Sequence, residues 1–269
     1  ETLYQKMRAL IIYLVISAVF IGCTPILSID ASTQSVYHFS DTDKNISLLD
    51  ISETFGTYDG SFVLYDNNLD SWKIYNLEEA TKRIPPESTY KIYDALLGLE
   101  SGIITPEHSS MTWNGDAFPF PSWEADQDLN SAMQNSVNWY FQAIDSQLGI
   151  NRVQRFLNKI EYGNQTTSSN LDLYWSDFSL KISPLEQVTL LKKFNTNEFH
   201  LNFQNVFSVK NAIKIASTPN GNFYGKTGTG RVNGQDINGW FIGYVETSDN
   251  SYYFATNIQS DSNATGKKA

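Results

Sequence analysis

Three short stretches of this 269-residue chain carry side chains able to open a reactive carbonyl. The first, "PPESTYKIYDALLGLESG" (85–102), puts Ser88 three residues before Lys91 at the head of an apolar helical pattern. A serine hydroxyl is a weak nucleophile until a base stands within hydrogen-bond reach. Residues i and i+3 of a helix share a face, and Pro85-Pro86 favours a helix start at this point. Ser88 and Lys91 are therefore expected side by side, with the positive end of the helix dipole favouring negative charge developing at Ser88. Lys91 stands among Tyr90, Ile92 and Tyr93, where burial disfavours the ammonium form and lowers its pKa. A neutral amine can take the serine proton. It can also add carbon dioxide and become a carbamate, a second kind of base. Taken alone, S-x-x-K is short and common, and a solvated helix-start lysine beside an N-cap serine is the better account of it.

The second stretch is "YGKTGTG" (224–230). It offers a cation at Lys226 and hydroxyls at Thr227 and Thr229, which alternation puts on one face of a strand. Gly228 and its neighbouring glycines let a ligand or another backbone approach. An edge strand that happens to contain glycine is the plain alternative. The third stretch, "NSVNWYF" (135–141), supplies Ser136 and Asn138 at a helix boundary, where an ordinary helix cap is the competing account.

Elements to position these residues are legible in the hydrophobic pattern. "GSFVLYDNNLDSWKIYN" alternates apolar and polar residues around Asn67-Asn68 and reads as a β-hairpin. Tyr90, Ile92, Tyr93, Leu96, Leu97 and Leu99 give helical spacing over 88–100. "MTWNGDAFPFPSWEAD" reads as a loop. Helical pieces follow around 127–149, 151–160 and 184–195, and strands return with "GNFYGKTGTG", "INGWFIGYVET" and "SYYFATNI". Strands, then helices, then strands indicate an α+β fold, an antiparallel sheet with helices upon it.

Composition narrows the functions. Hydrophobic residues make up 41% and aromatic residues 14%, as expected of a folded chain. The formal net charge of −10 carries no basic footprint for nucleic acid, so no nucleic-acid partner is expected. Cys23 is the single cysteine, which rules out an internal disulfide, and the three histidines (His38, His108, His200) show no metal-ligand spacing. No metal site is expected, and a base other than histidine is needed.

Residues 9–29, "ALIIYLVISAVFIGCTPILSI", contain no charge and match the about 20 residues a helix needs to cross a bilayer. Lys6 and Arg8 before it and Asp30 after it put the N-terminus in the cytoplasm and the remainder outside, with Pro25 ending or kinking the helix. A cleaved signal peptide and a lipid anchor on Cys23 are the alternatives, and both also export the rest; a buried soluble helix is the fourth reading. The division expected is 1–8 as the cytoplasmic end of a missing upstream region, 9–29 as a transmembrane helix, 30–54 as linker and lead-in, and 55–269 as an extracellular domain. Glu1 at the start and "NATGKKA" at the end suggest a fragment at both ends.

S-x-x-K, then S-x-N, then K-T-G, in that order, is the motif set of penicillin-recognising serine enzymes. From about Phe55 onward the chain resembles the branch of that superfamily holding class D β-lactamases and the sensor domains of BlaR/MecR-type β-lactam receptors. The marks are "PPESTYK", "MTWN", "QDLNSAMQNSVNWYF", "YGN" (162–164), "YWSDFSLKISPLEQV", "YGKTGTG" and "NGWFIGYV". "VISAVFIGCTPILS" also resembles the last membrane helix before the sensor domain of such receptors. The resemblance implies the penicillin-recognising serine fold, with helices on both sheet faces, a helical subdomain and a C-terminal helix that would be cut off after Ala269.

It also implies roles by position. Ser88 would be acylated, Lys91, carbamylated, would be the base, and Ser136 would pass protons to the leaving nitrogen. Lys226, Thr227 and Thr229 would hold the ligand's carboxylate and position its amide, with Gly228 in the same motif. The backbone N–H groups of Ser88 and Thr229 would form the oxyanion hole. Trp175 matches the tryptophan supporting the carbamate, and a plain core aromatic is its alternative. Class D enzymes usually carry an apolar residue where this chain has Asn138, as the sensors do. An asparagine donating hydrogen bonds there would compete with the carbamate, remove the base for hydrolysis and leave the acyl-serine in place. No cofactor is expected beyond that carbamate; zinc belongs only to an upstream metalloprotease domain that such receptors carry. The readings weighed are a β-lactam receptor of the cell membrane, a secreted or anchored class D β-lactamase, and a cell-wall transpeptidase.

Overall fold

The computed structural model describes residues 45–269. The expected transmembrane helix at 9–29, the segment 1–8 and most of the lead-in lie outside the described residues. Among the described residues no helix is long and apolar enough to cross a membrane.

Seven strands form one sheet in the order β1-β3-β2-β7-β6-β5-β4. They are β1 (Ile46–Leu48), β2 (Asp59–Asp66), β3 (Ser71–Tyr75), β4 (Lys214–Thr218), β5 (Gly221–Val232), β6 (Gln235–Glu246) and β7 (Ser251–Gln259). The expected hairpin is β2–β3. Its reversal follows Asn67, with the Asp66 carboxylate accepting from the N–H groups of Asn68 and Leu69 at 3.1 Å each, an Asx-type turn. The sheet is antiparallel except at one edge, where β1 runs parallel to β3. β1 and the short helix α1 (Ser52–Phe55) belong to the folded unit. Neither is apparent in the polar lead-in.

Strand alternation divides the apolar side chains between two cores. Val63, Tyr65, Trp240, Ile242, Tyr244, Tyr253 and Ala255 face the main helical layer. Phe62, Leu64, Phe241, Phe254 and Ile258 face a smaller core closed by Phe55, Ala264 and Ala269. Helices were expected on both faces. On this second face the described residues supply only α1 and the C-terminal segment 260–269, so the helical mass lies on one side.

That layer comprises α2 (Leu77–Thr81), α3 (Lys91–Glu100), α4 (Leu129–Gln134), α5 (Asn138–Leu148), α6 (Ile150–Ile160), α7 (Pro184–Asn195) and α8 (Phe203–Ala212). Helix α7 lies on β2, β6 and β7, while α3 packs on α5 and α8 farther from the sheet. α7 starts where Ser183 and Glu186 form a reciprocal capping box with Pro184 in the first turn. Gly98 lets α3 approach α5, since a Cβ there would meet Ile144 Cγ2 at 2.9 Å. The expected helical region 127–149 is two helices, α4 and α5. Ser136 breaks it by adopting φ 55, in the left-handed region.

Candidate active site

The site lies between the helical layer and the outer part of β5. Ser88 occupies a 3-10 turn (Glu87–Tyr90), and the α-helix proper begins at Lys91. This sharpens the expected geometry. A 3-10 helix has three residues per turn, so i and i+3 eclipse, and Lys91 Nζ lies 2.8 Å from Ser88 Oγ. Lys91 is 1% exposed, while Ser88 is only half-buried and open to a ligand. Burial, then the neighbouring Lys226, hold the Lys91 amine well below the ordinary ammonium range. That is the condition for a neutral amine to take a proton from serine.

Lys91 Nζ also donates to Asn138 Oδ1 at 2.8 Å. Asn138 was expected to act as a donor toward this lysine. It meets Lys91 through its oxygen instead, because an amine bearing protons needs an acceptor there. The amine sits 4.3 Å over the Trp175 ring and 5.5 Å from that of Phe141. Trp175 is buried, and its carbonyl accepts from the Glu87 N–H at 3.1 Å.

Lys226 Nζ donates to Ser136 Oγ at 2.8 Å and to the Thr227 carbonyl at 3.0 Å. Burial pushes the Lys226 amine down to about 7. Strand β4 pairs with β5 only as far as Tyr224, leaving the outer edge of β5 without a partner strand from Lys226 onward among the described residues. The Gly225 N–H points to that side, reaching the Ile213 carbonyl at 2.9 Å. By alternation Thr227 and Thr229 turn their own N–H and C=O groups the same way.

The threonine side chains face differently from Lys226. The Thr229 hydroxyl accepts from the Gly266 N–H at 2.9 Å, and Thr227 Cβ also borders Gly266. Gly228 faces the nucleophile turn, where a Cβ would lie 3.2 Å from the Ser88 nitrogen. Ser88, Lys91, Ser136, Asn138, Trp175, Lys226 and Gly228 thus converge, and Thr227 and Thr229 present backbone to the same cleft. No group of three His, Cys, Asp or Glu able to hold a metal occurs among the described residues.

Sequence reasoning missed Glu87, which reads as an ordinary first-turn acid. It is buried at φ 52 directly before the nucleophile, a strained conformation of the kind found at functional sites. Asn238 donates to Glu87 Oε1 at 3.3 Å and to the Pro85 carbonyl at 3.1 Å, and Asn257 donates to Asn238 at 2.8 Å. A Cβ at Gly230 would run into the Glu87 carboxyl. Burial raises the Glu87 carboxyl from 4.5 to about 8, against the lowering effects of Asn238 and Lys91.

A pH dependence follows. Between about 4.5 and about 8 the folded protein holds a proton on Glu87 that the unfolded chain has released. Its contribution to stability is therefore present at low pH and is lost as pH rises through about 8. Glu87→Gln should flatten this part of the dependence of unfolding free energy on pH, measured by urea denaturation across that window. An unchanged slope would contradict the assignment.

Comparisons with known proteins identify the family of the chain. Residues 60–269 match the family described as penicillin binding protein transpeptidase domain. The chain is 45% identical over 269 residues to the regulatory protein BlaR1 of Bacillus licheniformis, covering 99% of this chain and 44% of that protein. It is 39% identical over 265 residues to the methicillin resistance mecR1 protein of Staphylococcus aureus, covering 98% and 45%. The chain thus spans less than half the length of these curated relatives. Among solved structures, the C-terminal domain of the Bacillus licheniformis BlaR penicillin-receptor matches with a TM-score of 0.81 at 46% identity, covering 84% of this chain and 92% of that one. Class D β-lactamase BAT-2 matches with a TM-score of 0.76 at 35% identity, covering 82% and 90%. The chain belongs to the penicillin-binding transpeptidase-domain family, in the branch that holds BlaR1, mecR1 and the class D β-lactamases.

Proposed function

We propose that this domain senses β-lactam antibiotics by acylation of Ser88 with slow deacylation, and reports the antibiotic across a membrane to induce resistance. The observation that carries the reading is the Lys91 amine, shared between Ser88 Oγ and Asn138 Oδ1 at 2.8 Å each. In the first step Lys91 takes the Ser88 proton as Oγ attacks the lactam carbonyl. The N–H groups of Ser88 and Thr229 receive the developing oxyanion. The ring C–N bond then breaks, and Ser136, backed by Lys226, delivers a proton to the departing nitrogen. Lys226, with the Thr227–Thr229 strand, holds the ligand carboxylate; that charge favours the ammonium form of Lys226 over the amine.

Hydrolysis of the resulting ester needs a base to activate water. A Lys91 carbamate, supported by Trp175, would supply one. Asn138 occupies the amine's hydrogen-bonding position and works against that carbamate, so the acyl-serine persists. The signalling half of the proposal rests on the likeness to BlaR1 and mecR1 along nearly the whole chain. In this proposal residues 9–29 lie in the membrane, the sensor domain lies outside, and a zinc-protease domain stands upstream.

Incubation with a fluorescent penicillin should give stoichiometric, long-lived labelling, with the added mass on the peptide containing Ser88. Rapid turnover of nitrocefin would instead favour the class D β-lactamase reading, which the likeness to BAT-2 keeps in view. Asn138→Val should speed deacylation by up to about tenfold, the value of one net hydrogen bond. An unchanged lifetime of the acyl-protein would remove the mechanism given for the trap.

A further inference from the structure

Two buried carboxyls lie directly behind the site, and the steps above do not use them. Asp94 follows Lys91 by one turn of α3, and Asp145 follows Asn138 by two turns of α5. Both are 0% exposed, on helices α3 and α5 that pack against each other at Gly98 and Ile144, and the two carboxyls act directly on each other's charge. Tyr174 donates its hydroxyl to Asp145 Oδ1 at 3.1 Å. Neither oxygen of Asp94, nor Oδ2 of Asp145, meets a donor among the described residues. Neither acid takes part in an ion pair there.

Two adjacent buried carboxylates without a counter-ion cannot both ionise. One proton held between them gives each carboxyl a hydrogen-bond partner and leaves a single negative charge. The groups facing this charge are Lys91 and Tyr90 from the nucleophile segment, Tyr140 from α5, Tyr174 and Trp175 from the segment before α7, and Asp172 farther out. Glu87 and Lys226 face Lys91 itself. Of these, only Lys91 and Lys226 can carry positive charge.

We propose that Asp94 and Asp145 share one proton, and that the negative charge they retain holds Lys91 in its amine or ammonium form and opposes its conversion to an anionic carbamate. They are positioning residues, acting through Lys91 without touching the ligand. The inference rests on the acyl-serine reading and adds to it a second device, besides Asn138, that withholds the base for hydrolysis. Carbamylation itself is balanced: the amine adds carbon dioxide, forms an N–C bond and releases a proton, so net charge becomes more negative. A fixed negative charge nearby makes that change less favourable.

The test needs no β-lactam, so its outcome is separate from whether Ser88 is acylated. Protein equilibrated with ¹³C-bicarbonate is examined by ¹³C NMR for the lysine carbamate signal. Asp94→Asn/Asp145→Asn removes the charge and keeps the shape. Carbamylation of Lys91 should then become at least about tenfold more favourable, corresponding to one pKa unit. Asp94→Asn alone lets the introduced amide donate to an ionised Asp145, retains the charge, and should behave as the parent. A double variant no more carbamylated than the parent, or a single variant moving as far as the double, would overturn the proposal. A second measurement holds even if the double variant folds poorly. In a Glu87→Gln background at neutral pH, infrared spectroscopy should show the C=O stretch of a buried protonated carboxyl, lost on adding Asp94→Asn. Absence of that band in the Glu87→Gln protein would equally overturn it.

Discussion

Lys91→Met lowers the rate of Ser88 labelling by a fluorescent penicillin by about 10²–10⁴-fold, the usual contribution of a positioned general base. The fully buried amine, 2.8 Å from Ser88 Oγ, has no replacement among its neighbours. Ser136 is held by Lys226, whose amine is itself engaged. Of the described residues, His108 and His200 are both exposed rather than buried beside Lys91. The same variant should melt no lower than the parent, because methionine of similar length fills the space over Trp175 and Phe141 without the cost of burying an amine. Activity lost while stability is kept or gained is the signature of a group retained for chemistry. Stopped-flow labelling together with thermal melting decides the matter, and near-parental labelling by Lys91→Met would end the assignment of Lys91 as base.

Gly163→Ala should cost about 3 kcal/mol of stability, near the upper end of ordinary single substitutions. Gly163 has φ +49, and a Cβ there would collide with the Lys181 carbonyl, with the Lys181 carbonyl carbon at 2.9 Å and Ile182 Cα at 3.0 Å. Both strands of backbone are fixed, so neither can yield cheaply. Asn164 beside it clamps the same segment, donating to the Ser179 carbonyl at 2.7 Å and accepting from the Lys181 N–H at 2.9 Å. That segment leads back to Trp175, beneath Lys91. The urea midpoint of Gly163→Ala should fall by about 1–2 M, with slower Ser88 labelling even where the domain stays folded. A midpoint within error of the parent would show that the close approach is not maintained in solution. "YGN" thus marks a backbone clamp that keeps the lysine's floor in place, with no direct part in chemistry.

The pairing of Ser88 with Lys91 was legible because both lie on one helical turn, where spacing alone dictates contact. The order of the three motifs carried the remainder of that reading, down to Ser136 and Lys226. Local patterning also disclosed the β2–β3 hairpin and β5, β6 and β7, since each strand alternates strongly over its own length. Helix α8 and strand β4 escaped notice. Phe203 and Phe207 of α8 are exposed, and β4 is largely exposed too, so neither presents a clean apolar face. The split between α4 and α5 was equally hidden, since nothing local announces that Ser136 will take a left-handed conformation.

What sequence by itself determined about this protein is the set of reacting groups and their grouping into turns and strands, because those depend on residue type and short-range spacing. Only tertiary structure decided the charge states and the directions. Glu87 has a raised pKa because packing takes it out of water, against the lowering pull of Asn238, Asp94 faces Asp145 because α3 and α5 cross at Gly98, and Asn138 offers its oxygen because Lys91 stands opposite. These outcomes arise from desolvation and from contacts between residues far apart in the chain. Both are set by how the elements pack, which no local pattern encodes.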